Sequence, residues 1–314
     1  MRRTLRGPRI IVLCYHRVDA DASRPAFSAL PSEFARQIGW FASRFRILRV
    51  SEVVAYLSGG LRLAGDAVAL TFDDGYADNR YIVQPLLARR GIPAAFFIAS
   101  GPLLQRSAYW YDALWDGLGK AGPDPRSPEW KEEIPAEAWD AIGRYASDRD
   151  RASRQTALNA CKGLSRADRD RLLDRIGPLD RGEAACETMT LEEAWECSRA
   201  GIEIGGHTRS HPSLARVSAE ECECEIRDGV EDLRREGFPV RAFAYPFGEG
   251  LDTGGSEGLP RRVVAGIRDM GAAFTTEERA VRPGDDPFLV PRKVITPQSL
   301  AQIALRLEIL SWRR

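Results

Sequence analysis

Ala67-Val68-Ala69-Leu70-Thr71-Phe72-Asp73-Asp74-Gly75 is a nearly unbroken apolar run that stops on two adjacent carboxylates. Residues 67–72 read as a strand buried on both faces, the kind a parallel sheet contains. The aspartate pair therefore falls at the strand's C-terminal end. The alternation of strand and helix spreads outward from this stretch. Upstream, residues 10–14 read as a strand, 31–45 as a helix with Phe34, Ile38, Phe41 and Ala42 apolar, and 47–50 as a short strand. A helix capped by Ser51 follows and ends near Gly59-Gly60. Downstream, 79–90 reads as a helix and 94–99 as another apolar strand.

From 103 to 187 the character changes. Tyr109-Trp110-Tyr111-Asp112-Ala113-Leu114-Trp115 is an aromatic cluster, 122–128 is rich in Pro and Gly, and charged helical segments run to Leu179. This stretch reads as a helical insertion. The alternation then resumes. Thr190 and Glu193 have capping-box spacing at a helix start. Residues 202–206 form a strand, 218–237 a long helix opened by Ser218 and Glu221, and 242–245 a strand. Helix 261–270, strand 272–275 and helix 299–310 complete the series. Repeated strand–helix units imply an α/β fold with a mainly parallel sheet wrapped by helices.

In such folds ligands bind beyond the carboxyl ends of the strands. Asp73-Asp74, His207-Thr208-Arg209-Ser210-His211-Pro212 and Tyr245-Pro246-Phe247-Gly248 each follow a predicted strand, so all three belong to one rim. The chain holds three histidines: His207, His211, and His16 in Tyr15-His16-Arg17-Val18. Two imidazoles and a carboxylate make an open zinc-type ligand set. A neighbouring carboxylate is then free to move protons. Pro212 and the preceding strand place the His pair in a loop rather than on a helix. The plainer alternatives are a structural histidine pair and an Asp pair that caps the next helix.

Thr71-Phe72-Asp73-Asp74-Gly75 and His207-Thr208-x-x-His211-Pro212 resemble the first two motifs of the polysaccharide deacetylases, the NodB-homology or carbohydrate esterase 4 family. The resemblance extends to Tyr15-His16-Arg17-Val18, Gly91-Ile92-Pro93-Ala94-Ala95-Phe96-Phe97 and Phe243-Ala244-Tyr245-Pro246-Phe247-Gly248, and covers most of 9–100 and 188–296. It implies a distorted (β/α) barrel over 1–296, interrupted by the helical insertion at about 103–187, with a C-terminal helix over 297–314. It implies a hydrolase that removes N-acetyl groups from a GlcNAc-type amino sugar of a surface or extracellular polysaccharide or its precursor. Asp74, His207 and His211 match the family's metal triad, with zinc the favoured divalent ion, and Asp73 matches its general base. A backbone N–H near Phe247 would hold the oxyanion, since Pro246 has none to give. The family's third motif commonly begins with Arg, but Ala244 stands there. Arg292, in Val290-Pro291-Arg292, is the candidate replacement, with a plain surface charge as its alternative. No histidine follows His211, so His16 is the candidate general acid. Tyr245 and Phe247 are expected to line the substrate site. Trp110, with Tyr109, Tyr111 and Trp115, is a candidate sugar platform, although Tyr111 and Trp115 also suit a core.

Forty-five Lys+Arg against forty-five Asp+Glu give no net charge, so nothing favours nucleic acid or an anionic membrane as partner. The expected partner is an N-acetylated glycan or its precursor. Basic Met1–Arg9 precedes an apolar stretch too short for a signal peptide, and no segment nears the roughly 18 apolar residues of a membrane helix. The expectation is a cytoplasmic protein without stable membrane insertion. Cys14, Cys161, Cys186, Cys197, Cys222 and Cys224 form no Cys-x-x-Cys pair and are expected to stay reduced. Two other functions remain open at this point: the same fold acting on a non-sugar amide or an O-acetyl ester, and a catalytically silent glycan-binding protein.

Overall fold

The computed structural model describes residues 7–119, 134–175, 187–248 and 250–312. Cys186 and the Pro/Gly-rich stretch 122–128 lie outside them. The strands are β1 (Ile10–Tyr15), β2 (Arg17–Val18), β3 (Phe27–Ala29), β4 (Arg46–Leu48), β5 (Ala67–Asp73), β6 (Ala95–Ile98), β7 (Glu203–Gly206), β8 (Ala242–Ala244), β9 (Ala272–Phe274) and β10 (Lys293–Val294). The main sheet runs β10-β1-β5-β6-β7-β8-β9, with β4 beside the first half of β5, and every pairing is parallel. β2 and β3 form a small separate ribbon.

The sheet curls until its ends meet. Val290 N–H donates to the Ala273 carbonyl and Thr275 N–H to that of Val290, both at 2.8 Å. Three residues on, β10 pairs with β1. The segment from Val290 to Val294 thus joins the last strand to the first, closing a distorted barrel.

Strand alternation explains the continuous apolar runs. Ile10, Val12, Ala67, Ala69, Ala95, Phe97, Ala242, Ala244, Ala272 and Phe274 form the barrel interior. Ile11, Leu13, Tyr15, Val68, Leu70, Phe72 and Phe96 face the helices instead, meeting Phe34, Ile38 and Phe41 of the helix Pro31–Arg44. Both faces are buried, so both must be apolar. The interior is narrow and uses alanine. At Gly205 even a Cβ would lie 2.4 Å from the Phe97 ring.

Most helices follow the sequence. Thr190 and Glu193 form the expected capping box, and Ser218 accepts from Glu221 N–H at 3.1 Å. Ser51 is not a cap: the helix is Val50–Leu57, and the Glu203 carboxylate accepts from the N–H groups of Val50 and Ser51 at 2.7 and 3.1 Å. A carboxylate at a helix N-terminus satisfies donors and complements the dipole, and its source lies 152 residues away, beyond local reading. The stretch at 79–90 opens as a π-helical turn, Asn79–Val83, before Gln84–Ala88, because Pro85 brings no N–H.

Between β6 and β7 the described helices are Ser100–Gln105, Trp110–Gly119, Ala136–Asp148, Arg151–Cys161, Arg166–Arg175 and Leu191–Arg199. The insertion has its own core around Leu114, Trp115, Ile142, Leu158 and Leu172, seated on Tyr76 and Ala99 of the rim. Leu300–Trp312 is the C-terminal helix. Among the described residues, no helix is long and apolar enough to cross a membrane.

Candidate active site

Asp73 is the last residue of β5, and its position in the alternation turns it into the barrel. Arg292 meets it there. The guanidinium donates from Nη1 to Oδ1 and from Nη2 to Oδ2, both at 2.7 Å, a bidentate pair. It also donates from Nε to the Thr275 carbonyl at 3.0 Å and from Nη1 to Thr71 Oγ1 at 3.2 Å. Arg292 is 0% exposed, so it is not a surface charge. The Cys14 thiol donates to Asp73 Oδ2 at 3.3 Å. Burial works to raise the Asp73 pKa, but Arg292 and His207 outweigh it and hold the carboxyl below its usual value.

Asp74 leaves the strand with φ of 74° and Gly75 follows at 64°. This left-handed pair sends the second carboxylate to the rim, a strained turn of the kind found at functional sites. Tyr109 Oη donates to the Asp74 carbonyl at 2.5 Å. His207 follows β7 directly, and its Nδ1 lies 2.7 Å from the Ala244 carbonyl. A carbonyl can only accept, so Nδ1 carries a proton and Nε2 is the atom left to face Asp74. That Nε2 lies 3.5 Å from Asp74 Oδ1, and His211 Nε2 lies 3.4 Å from the same oxygen. Asp74 Oδ1 is buried without a hydrogen-bond partner. Burial holds the His211 imidazole down at about 3, so it is neutral. His207 is drawn upward because Asp73 and Asp74 overcome burial.

The loop between the histidines is held from behind. Glu225, in the helix Ala219–Arg235, accepts from Arg209 N–H and Ser210 N–H at 3.0 and 2.7 Å. Thr208 and His211 have φ of 64° and 58°. Gly229 of the same helix lets the loop sit close: its Cβ would lie 2.5 Å from the Thr208 carbonyl carbon. Gly→Ala on an open helix face stabilises by about 1 kcal/mol. Here the sign reverses: Gly229→Ala is expected to cost about 1–3 kcal/mol through overpacking, read from denaturant unfolding.

Asp73, Asp74, His16, His207, His211, Tyr245 and Phe247 line one cavity of about 420 Å³. His16 is half-buried, and its ring shares a 4.8 Å cluster with the Cys14 sulfur and the Asp73 carboxylate. Ser28 Oγ accepts from its N–H and Asn79 donates to its carbonyl, both at 2.9 Å. The Phe247 ring stands edge-on to His211 at 4.9 Å, on backbone with φ of 60°. Tyr245 contributes only wall: its ring is buried and its hydroxyl donates to the Phe288 carbonyl at 3.0 Å. Trp110 does not line this cavity. Its Nε1 donates to the His211 carbonyl at 3.2 Å, and its ring faces a separate space. Tyr109, Tyr111 and Trp115 are buried in the insertion core, and of these Tyr111 reaches the cavity. Tyr109, Tyr111 and Trp115 are thus packed, whereas the half-buried Trp110 ring borders the separate space.

Sequence reasoning missed the roof. Gln155, Leu158 and Lys162 line the cavity, the first two from the helix Arg151–Cys161. Lys162 Nζ stands 4.6 Å from the centre of the Phe247 ring. No motif marks them. The only available signal was that the insertion leaves from the same rim as the carboxylates.

Asp74, His207 and His211 present ligand atoms within 4.8 Å of one another. Asp74 Oδ1 is buried without a hydrogen-bond partner and both imidazole Nε2 atoms face it, so a cation among the three would satisfy them all. The donor set therefore fits a divalent metal.

A family model described as polysaccharide deacetylase matches residues 62–123 and 182–259. Those segments contain Asp73, Asp74, Trp110, His207, His211, Tyr245 and Phe247, whereas His16 and Arg292 lie outside them. No curated protein matches the chain by sequence. Solved structures share the fold. The deacetylase PplD of Streptococcus pyogenes, in complex with acetate, aligns at 17% identity and TM-score 0.59, over 96% of this chain and 99% of its own. IcaB from Ammonifex degensii aligns at 21% identity and TM-score 0.61, over 96% and 97%. The BpsB deacetylase domain from Bordetella bronchiseptica aligns at 17% identity and TM-score 0.54, over 93% and 98%. With the motif carboxylates and histidines inside the matched segments and gathered at one barrel rim, the chain belongs to the polysaccharide deacetylase family of hydrolases.

Proposed function

We propose that this chain is a metal-dependent de-N-acetylase of a GlcNAc-type amino sugar within a polysaccharide or its precursor. The observation that carries the reading is a buried carboxylate, Asp73, locked by Arg292 beside the metal-ready triad Asp74, His207 and His211. The triad would hold a divalent ion, zinc in first place, which when bound acidifies water and polarises an acyl oxygen.

The chain's own residues do the rest. Asp73 accepts a proton from the attacking water as its oxygen bonds to the acetamide carbon. Arg292 fixes both Asp73 oxygens and keeps the carboxyl ionised. The Phe247 N–H faces the developing oxyanion. His16, at the mouth of the same cavity, gives a proton to the departing amine as the C–N bond breaks. Acetate and a free amino sugar leave.

The test is acetate release by zinc-reloaded protein from N-acetylglucosamine oligosaccharides, an O-acetylated glycan and a non-sugar acetamide, with and without chelator. Release from the first alone, abolished by chelator, is the expected result. Release only from the ester or the simple amide would reassign the substrate, and chelator-resistant release would remove the metal. His207→Ala is expected to lower bound zinc from one equivalent to under about a tenth, because one ligand of three is lost. Elemental analysis after gel filtration reads it.

A further inference from the structure

Behind the His211 loop lies a second cavity, about 620 Å³, between that loop and the helices Trp110–Gly119 and Arg166–Arg175. Its size is that of a small-molecule site. Its lining is rich in charge, and most of that charge is already matched. Glu187 pairs with Arg17 and Arg24, and Asp116 with Arg24. Asp170 faces Arg166 at 3.9 Å, and Arg209 faces Asp232 at 3.4 Å.

Two groups break the pattern. Arg169 is 4% exposed and lines the cavity, with its guanidinium 4.9 Å over the Trp110 ring. Among the described residues its guanidinium has no hydrogen bond and no carboxylate at ion-pair distance. Glu225, one of the acids that act on it from farther off, is engaged with the loop N–H groups. A buried cation is normally paired. Asp112 is the second. Its Oδ2 accepts from Tyr76 Oη at 3.0 Å and faces Arg17 at 3.4 Å, while its Oδ1 is buried without a partner. The cavity is thus lined by an unanswered guanidinium fork, by Asp112 with its unanswered acceptor just beneath the wall, and by the indole of Trp110 on the same helix as Asp112.

A ligand that answers both carries an anion and a hydroxyl on one small frame. We propose that this cavity is a second carbohydrate site, selective for an acidic sugar: a uronate whose carboxylate meets Arg169 and whose hydroxyl donates to Asp112 Oδ1. Arg169 supplies the bidentate geometry a carboxylate takes. The Trp110 Nε1 bond to the His211 carbonyl places this site one hydrogen bond from the catalytic rim. The proposal is independent of the deacetylase reading, because its test is binding.

Calorimetric titration of the full chain with glucuronate, glucose and inorganic phosphate tests it. Glucuronate is expected to bind saturably, with glucose and phosphate each at least about tenfold weaker. Arg169→Gln is expected to weaken glucuronate at least about tenfold, with Arg169→Lys recovering part of the loss. Asp73→Asn should bind glucuronate as wild type does. The Trp110 indole N–H resonance, identified by its absence from Trp110→Phe, is expected to shift with glucuronate. That readout on wild type holds even if Arg169→Gln fails to fold. Glucose binding equal to glucuronate, phosphate binding as tight, undiminished binding by folded Arg169→Gln, or no binding with an unmoved Trp110 resonance would each overturn it.

Discussion

Asp73→Asn is expected to keep its bound metal and lose about 10²–10⁴-fold in kcat, the usual worth of a positioned general base. Asparagine has the same shape and still accepts from Arg292 through its carbonyl oxygen, but it cannot take a proton. Asp74, His207 and His211 remain as they are, so zinc content should stay at one equivalent. The informative comparison is kcat against KM. A base that acts only as the reaction proceeds lowers kcat and leaves KM nearly unchanged. If Asp73→Asn retained wild-type turnover, the water would be activated by another group and the proposed chemistry would fail. If it lost zinc as well, Asp73 would belong to the metal site rather than to proton transfer.

Arg292→Met carries the largest expected loss of stability, about 3–5 kcal/mol, because it strands a buried carboxylate. In wild type the Asp73 pKa is depressed. Its pairing therefore stabilises the fold above the unfolded carboxyl pKa, and that contribution is lost as pH falls through the folded value. Without Arg292, burial acts with one chief opponent fewer and the Asp73 pKa rises. A raised carboxyl reverses the sign: the variant should lose stability as pH climbs from about 4 toward 7. Adding Asp73→Asn to Arg292→Met should recover part of the loss, since no charge is then stranded. Urea unfolding at pH 5 and pH 7 for the three proteins measures all of this. An unchanged slope with pH in Arg292→Met would mean that Asp73 finds another cation. Arg292→Lys should rescue only partly, because an ammonium cannot span both carboxylate oxygens at 2.7 Å.

The elements that carried the fold in the sequence were the long apolar runs. The stretch 67–72 could hardly be anything but a buried strand, and β5 runs through it to Asp73. Strand ends then located the carboxylates and the His loop, because parallel α/β topology brings those ends together. What escaped was built from few residues or from distant ones. β10 is two residues long and has no pattern of its own; it exists because Val290 is held by β9 and Val294 by β1. Arg292 could be suspected as a stand-in for the missing motif arginine, but its inward direction comes from that closing segment. The roof residues Gln155, Leu158 and Lys162 sit in an insertion whose helical periodicity says how it packs on itself and not where it docks. Trp110 holds a second part that no pattern shows: an aromatic cluster suggests a stacking surface, and this indole also supports the His211 loop through its N–H.

The Val290–Val294 closure also sets a schedule. The arginine that holds the proposed base lies in the last segment of the barrel to leave the ribosome, about 220 residues after the aspartate it pairs with. The proposed metal ligands and the groups that hold them, Glu225 and the Ala244 carbonyl, have all been made well before Arg292, but Asp73 has no guanidinium until β10 docks on β1. On the proposed mechanism, a growing chain can therefore gather its ligands before Asp73 is oriented, and activity begins only when the C-terminal segment returns to the first strand.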